Sequence, residues 1–212
     1  MKGILFDLDG TLLDTLDDLT VAVNVALEAF GYPRRSREEV RRFVGNGVRR
    51  LMELAVPEGV TGQAFEACFA RMRSYYAAHS AEKTAPYKGV PDLLAALKER
   101  EIPMALVSNK PDGLVAELAE LHFPGIFAVT VGDMPDRARK PAPDMPLYAL
   151  ERLGLSREEV FYVGDSEVDW QTARNAGVPI VSVTWGFRDR DVLEGLGPDH
   201  LIDAPAQLLD LI

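Results

Sequence analysis

The chain is poor in several residues that would mark it for particular roles. It has one cysteine, Cys68, so no disulfide can form within it. Cys68 sits among Phe65, Ala67 and Phe69 in a helix-like stretch with no base beside it, the setting of a packed thiol and not of a nucleophile. Histidine is scarce: His79, His122 and His200 show no ligand spacing and read as structural or surface residues. Long apolar runs are missing, and none approaches the roughly 20 residues that span a bilayer. Positive charge is in deficit, with 23 Lys and Arg against 33 Asp and Glu and a formal net charge of −10. That sign argues against a nucleic-acid partner, though a local site can oppose it. There is no internal repeat, no low-complexity segment and no apolar leader ahead of the first strand-like run. These absences predict a soluble cytoplasmic protein, monomer or homodimer, with no membrane partner.

What is present is an alternation of strand and helix patterns. Apolar runs at residues 4–6, 104–107, 127–131, 160–163 and 180–183 have the continuity of strands buried on both faces. Leu93, Leu94 and Leu97 mark one intervening helix; Leu114, Leu118 and Leu121 mark another, and Leu147, Leu150 and Leu153 a third. The alternation predicts an α/β fold, a Rossmann-like parallel sheet covered on both faces. Ser156 and Glu159 spell a capping box before the fourth run.

The interval between the first two strands breaks this rhythm. Leu16, Leu19, Val23, Leu27 and Phe30 recur at helical spacing, and Gly31, Tyr32 and Pro33 end that helix. Ser36 and Glu39 spell a capping box for a second helix. Val48, Leu51, Met52 and Ala55 predict a third, and Phe65, Phe69, Met72 and Tyr76 a fourth. A crossover needs only one helix, so residues 15–86 read as an inserted helical cap on a catalytic core of residues 1–14 and 87–212. Hinges are expected near Thr15 and near Tyr87, Lys88 and Gly89.

Chemistry gathers where the strands end. Asp7 and Asp9 follow Ile4, Leu5 and Phe6, with Gly10 and Thr11 directly after. Ser108, Asn109 and Lys110 follow Val107; Lys140 precedes Pro141; Gly164, Asp165, Ser166 and Asp169 follow Val163. Each segment alone is an ordinary turn or loop spelling. In a parallel sheet all of them meet at one edge, where open α/β folds place their ligands. Asp7, Asp9, Asp165 and Asp169 are thereby expected in one pocket, faced by Ser108, Asn109 and Lys140. Crowded carboxylates need protons or a cation, and hard oxygen ligands suit Mg²⁺. A hydroxyl, an amide and a lysine supply donors for phosphate oxygens. One carboxylate can attack phosphorus, and a second can act as acid and then as base. The pattern points to phosphoryl transfer.

Asp7-Leu8-Asp9-Gly10-Thr11 resembles the first motif of the haloacid dehalogenase superfamily. Ser108-Asn109 resembles its second motif, Lys140-Pro141 its third, and Gly164-Asp165-Ser166 with Asp169 its fourth. The resemblance covers nearly the whole chain. It implies that Asp7 is the nucleophile and Asp9 the general acid and base. It implies Mg²⁺ held by Asp7, by the backbone carbonyl of Asp9 and by Asp165, with Asp169 either a further ligand or a partner of one. It implies that Thr11, Ser108, Asn109 and Lys140 bind the transferring phosphate. An aspartate at position 9 favours phosphatases and phosphomutases over dehalogenases proper.

In the helical segment, Gly45-Asn46-Gly47 is similar to the substrate-specificity loop of the superfamily's phosphoglycolate phosphatases. The segments at residues 87–90, 183–186 and 198–203 are also similar to that subfamily. The expected activity is hydrolysis of a small phosphomonoester, 2-phosphoglycolate first, through an aspartyl-phosphate. The alternatives are an inorganic pyrophosphatase, a nucleotide or sugar phosphatase, a phosphomutase, or a protein that senses a phosphorylated metabolite without turnover. Arg34, Arg35, Arg37, Arg41, Arg42, Arg49 and Arg50 crowd this region. Most are expected on a solvated face with Glu38 and Glu39, and Arg49 or Arg50 is a candidate for a substrate carboxylate. Trp170 and Trp185 are expected to pack.

Overall fold

Strand β1 (Gly3–Phe6) is buried at every position because helices cover both faces of its sheet. Ile4 and Phe6 enter one apolar cluster and Leu5 the opposite one, the period-two alternation of a strand. The structure, a computed structural model, describes residues 2–212. The remaining sheet strands are β2 (Met104–Pro111), β3 (Val129–Asp133), β4 (Val160–Gly164), β5 (Ile180–Val183) and β6 (His200–Ile202). They order as β3-β2-β1-β4-β5-β6, with every pairing parallel. The fold is α/β and Rossmann-like. Strand order runs one way from β1 to β3 and the other way from β4 to β6. The reversal lies between β1 and β4, the topological switch point where such sheets open a ligand crevice.

By chain contacts the molecule divides into two units: the chain up to Asp14 with Pro86–Ile212, and Thr15–Ala85. The second unit holds α1 (Leu16–Ala29), α2 (Arg37–Phe43), α3 (Gly47–Ala55) and α4 (Gly62–His79). The sheet unit holds α5 (Val90–Glu99), α6 (Asp112–His122), α7 (Asp144–Leu153), α8 (Glu167–Ala176) and α9 (Arg190–Gly195).

Three sheet elements depart from the sequence expectation. β2 extends to Pro111, so Ser108, Asn109 and Lys110 belong to the strand and do not follow it. β3 begins at Val129 and not at residue 127, because Phe127 packs edge-on against Phe6 and Phe123. β6 was not expected as a strand; it is a three-residue edge between Asp199 and Asp203.

In the helical unit α1 packs along α4. Leu19, Val23 and Leu27 of α1 are buried, as are Phe65, Cys68, Met72 and Tyr76 of α4. Burial raises the Cys68 thiol pKa, in keeping with a packing role. Ser36 caps α2: its backbone N–H donates to Glu39 Oε2 at 2.8 Å, and its hydroxyl accepts from the Glu39 N–H at 3.2 Å. Asp18, buried in the first turn of α1, closes this unit. Its carboxylate accepts from the backbone N–H groups of Lys83 (3.0 Å) and Thr84 (2.9 Å) and from the Thr84 hydroxyl (2.8 Å). The beginning and end of the inserted segment are thus tied by one side chain.

Removing it strands two backbone donors. Asp18→Ala should destabilise the protein by about 1–3 kcal/mol in urea unfolding. A loss below about 0.5 kcal/mol, the level of an ordinary surface change, would show that the tie does not hold the segment ends.

Candidate active site

Because β1 ends at the switch point, Asp7 leaves the sheet with its N–H donating to Val163 of β4 at 2.9 Å. Its carboxylate is buried and accepts from Lys140 Nζ at 2.7 Å. The same ammonium donates to Asp169 Oδ1, also at 2.7 Å. Asp169 lies in the first turn of α8; its Oδ2 accepts from the Ser166 hydroxyl at 2.5 Å, and the Tyr162 hydroxyl is 3.4 Å from Oδ1. Asp165 stands between β4 and α8. Its Oδ2 accepts from the Phe187 N–H at 2.6 Å, and its Oδ1 faces the Thr11 hydroxyl at 3.5 Å.

Two glycines permit this crowding. At Gly10, with φ +90°, a Cβ would sit 2.3 Å from Asp165 Oδ2; at Gly164 it would sit 2.3 Å from Asp169 Cβ. Any side chain at either position displaces a carboxylate.

Asp7, Asp165 and Asp169 each offer an oxygen within 4.8 Å of the others. Three carboxylates facing the single ammonium of Lys140 leave two formal negative charges. Burial pushes Asp7 well above the usual carboxylate range, against the pull of Lys140 and with the push of Asp169 and Asp165. Asp165 is pushed up to about 7 by burial and then by Asp169. For Lys140 burial alone favours loss of the proton, but Asp169 and Asp7 together outweigh it and hold the ammonium charged. An all-oxygen donor set with two excess negative charges fits a hard divalent cation.

Asp9 does not bring a fourth carboxylate to this group. Its Oδ1 is 2.7 Å from the ammonium of Lys110. The extended β2 explains this: it runs on to Pro111 through a register shift against β3 after Val107, and Lys110 is carried with Ser108 and Asn109 to the same end of the sheet. Ser108 Oγ accepts the Lys110 N–H at 3.2 Å. Asn109 Nδ2 donates to the Lys140 carbonyl at 3.0 Å and fixes the lysine's loop. Thr11 is fully buried and faces Asp165; its carbonyl accepts the Trp185 indole N–H at 2.9 Å.

Gly45, Asn46 and Gly47 lie in the other unit, where Gly47 opens α3. Arg49 and Arg50 beside them both have acidic partners. Arg49 bonds Glu66 at 3.2 Å through Nη1 and lies over the rings of Phe65 (5.1 Å) and Phe69 (5.3 Å). Arg50 pairs with Glu53 at 3.1 Å. Glu38 and Glu39 do hold arginines, Glu38 those at 41 and 42 and Glu39 that at 35. The others expected with them go elsewhere: Arg34 to Glu28 and Arg37 to Asp17.

Sequence reasoning passed over three residues here. Lys110 belongs to a Ser-Asn-Lys spelling that looks like a turn, and the irregular end of β2 hides it from a period-two pattern. Tyr162, one residue before Val163, sets its hydroxyl beside Asp169. Arg188 is held by Glu167 at 2.6 and 3.0 Å, and its charge draws the Asp165 pKa down against burial. Nothing in local spelling marks it, because its partner is 21 residues away.

The raised pKa of Asp165 fixes a sign. A carboxyl with a higher pKa folded than unfolded lends stability below its unfolded value near 3.8, and loses it as pH rises through about 7. Glu38, held to about 2 chiefly by Arg41, and Glu159, held to about 2 chiefly by Lys2, act with the opposite sign and only below their ordinary 4.5. The chelated protein should therefore show a Tm that falls between about pH 5 and pH 7.5. Asp165→Asn should flatten that fall, and a saturating divalent cation should remove it. Equal slopes in wild type and variant would refute the assignment.

Residues 4–183 match the family model of the haloacid dehalogenase-like hydrolases. Phosphoglycolate phosphatase 1 of Pseudomonas aeruginosa is 35% identical over 97% of this chain and 78% of its own length. Phosphoglycolate phosphatase of Vibrio parahaemolyticus is 34% identical over 100% of this chain and 96% of its own. A candidate phosphoglycolate phosphatase from Lactobacillus delbrueckii subsp. bulgaricus, known from its crystal structure, superposes with a TM-score of 0.94. It is 36% identical, with 100% of this chain and 98% of that one covered. CbbY from Rhodobacter sphaeroides, crystallised with xylulose-1,5-bisphosphate, superposes with a TM-score of 0.82 at 26% identity, over 98% of this chain and 96% of its own. With its family model matched from β1 to β5, the chain belongs to the haloacid dehalogenase-like hydrolases.

Proposed function

We propose that the protein is a Mg²⁺-dependent phosphatase that hydrolyses a small phosphomonoester, 2-phosphoglycolate first among candidates, through a phosphorylated Asp7. The observation that carries this is the pairing of Asp7 and Asp169 with one buried ammonium, Lys140, beside Asp165. The names of the relatives support the substrate.

The carboxylates of Asp7 and Asp165 would hold the cation, with Asp169 completing the acidic set. When bound, Mg²⁺ supplies positive charge opposite the phosphoryl oxygens. Lys140 orients the Asp7 carboxylate through Oδ1, so the oxygen presented to phosphorus is fixed before substrate arrives. The Asp7 oxygen bonds to phosphorus as the ester P–O bond breaks, and Asp9, the ion partner of Lys110 in the free protein, takes up a proton as substrate binds and gives it to the leaving alkoxide. Water then attacks the phosphorus of the acyl phosphate and yields a proton to Asp9. Inorganic phosphate leaves, and the Asp7 carboxylate is restored. The Ser108 hydroxyl accepts from Lys110 and can still donate to a phosphate oxygen. Asn109 and Thr11 serve by fixing Lys140 and Asp165. In this reading residues 15–86 are the cap, and Gly45, Asn46 and Gly47 contribute to substrate choice.

Asp7→Asn should abolish phosphoester turnover while the protein keeps its fold, read by circular dichroism. Asp9→Asn should lower kcat on alkyl phosphates by about 10²–10⁴-fold. Turnover would be measured on 2-phosphoglycolate, pyrophosphate, a nucleotide monophosphate and a sugar bisphosphate, with Mg²⁺ and with chelator. Mg²⁺-dependent hydrolysis surviving in Asp7→Asn would sink the mechanism. A kcat/KM higher for any other ester than for 2-phosphoglycolate would displace the substrate.

A further inference from the structure

The site contains a second buried lysine. Lys140 is engaged with Asp7 and Asp169. Lys110 lies outside the three-carboxylate group and reaches Asp9 at 2.7 Å. Its side chain is 2% exposed and that of Asp9 15%. A buried ion pair is seldom needed for stability, since apolar side chains of similar volume often serve as well. The pair therefore calls for a chemical reason.

We propose that Lys110 is a specificity residue: it receives an anionic group, a carboxylate, carried on the leaving alcohol of the substrate. This rests on the phosphatase reading above, in which Asp9 protonates the ester oxygen. The argument is one of reach. A proton donor must stand about 2.6–3.2 Å from the oxygen it protonates. Lys110 Nζ stands 2.7 Å from an oxygen of that donor. A group on the alcohol bonded to the ester oxygen can therefore reach the ammonium. In 2-phosphoglycolate the carboxylate is on the carbon next to that oxygen, close enough for Asp9 and the substrate anion to share one ammonium. A neutral alcohol offers nothing to it. Arg49 and Arg50, the cations first considered for a substrate carboxylate, are engaged with Glu66 and Glu53. The leaving-group side of the sheet unit has Lys110.

The test compares two esters of similar size, 2-phosphoglycolate and 2-hydroxyethyl phosphate, which differ in the charge at the end of the alcohol. Wild-type protein with Mg²⁺ should favour the carboxylate ester in kcat/KM by about 10–100-fold, the range of one charge-assisted hydrogen bond. Lys110→Met should slow both esters, because Asp9 loses its partner, and should cut the ratio between them at least about tenfold, through KM for the carboxylate ester. Lys110→Arg keeps the charge and should restore part of the ratio. A role confined to holding Asp9 would lower both esters equally, and an unchanged ratio in Lys110→Met overturns the subsite. So does a wild type that turns over the two esters equally, a result that needs no variant to fold and leaves the phosphatase reading standing. If wild type hydrolyses neither ester nor p-nitrophenyl phosphate, the phosphatase reading falls and the subsite falls with it.

Discussion

The site depends on one buried ammonium. Lys140 is fixed by the bond from Asn109 to its carbonyl and spans Asp7 from β1 and Asp169 from α8. Those carboxylates come from segments 162 residues apart that only a parallel sheet brings together, on either side of its switch point. Without the lysine, three carboxylates within 4.8 Å would have to hold protons at neutral pH or push the strand ends apart. With it, the cluster keeps a charge deficit that one divalent cation can fill. Stability and chemistry are coupled here, because the charge that makes the site costly to bury also suits it to a divalent cation.

The same coupling explains the tight backbone. Gly10 and Gly164 sit where a single added carbon would meet Asp165 or Asp169. Ser166 caps α8 through the residue whose side chain it also bonds. The cap, the glycine approach and the ion pair all act on Asp169, so its position is set several times over. That is the arrangement expected where a functional geometry must be held within tenths of an ångström.

Much of this was legible in the sequence. The continuous apolar runs of β1, β4 and β5 announce strands buried on both faces, and the Ser36–Glu39 spelling announces a helix start. The acidic and basic residues at strand ends could be assembled because a parallel sheet leaves them one edge to occupy. Part of what was not legible has one cause, that polarity at a strand end looks like a turn. Ser108, Asn109 and Lys110 continue β2, which moves Lys110 into the site and draws Asp9 out of the carboxylate group. β6 was missed because three residues carry too little periodicity. The partners of Arg49 and Arg188, 17 and 21 residues away, depend on tertiary packing that no local window contains.

A chain with a net charge of −10 that acts on a phosphate ester must recognise its substrate at short range. At physiological ionic strength screening sets in over about 8 Å, so the overall charge weakly opposes the approach and the site decides the outcome. The sheet unit meets this with two buried lysines and one half-buried arginine, each with a different partner. Lys140 is consumed in balancing Asp7 and Asp169; Arg188 is held by Glu167 and tempers Asp165. Lys110 faces Asp9 instead of the three-carboxylate group. Under the proposed mechanism, positive charge is thus spread along the path of the bond that breaks, from Asp7 to Asp9. A substrate with negative charge at both ends meets a cation at each.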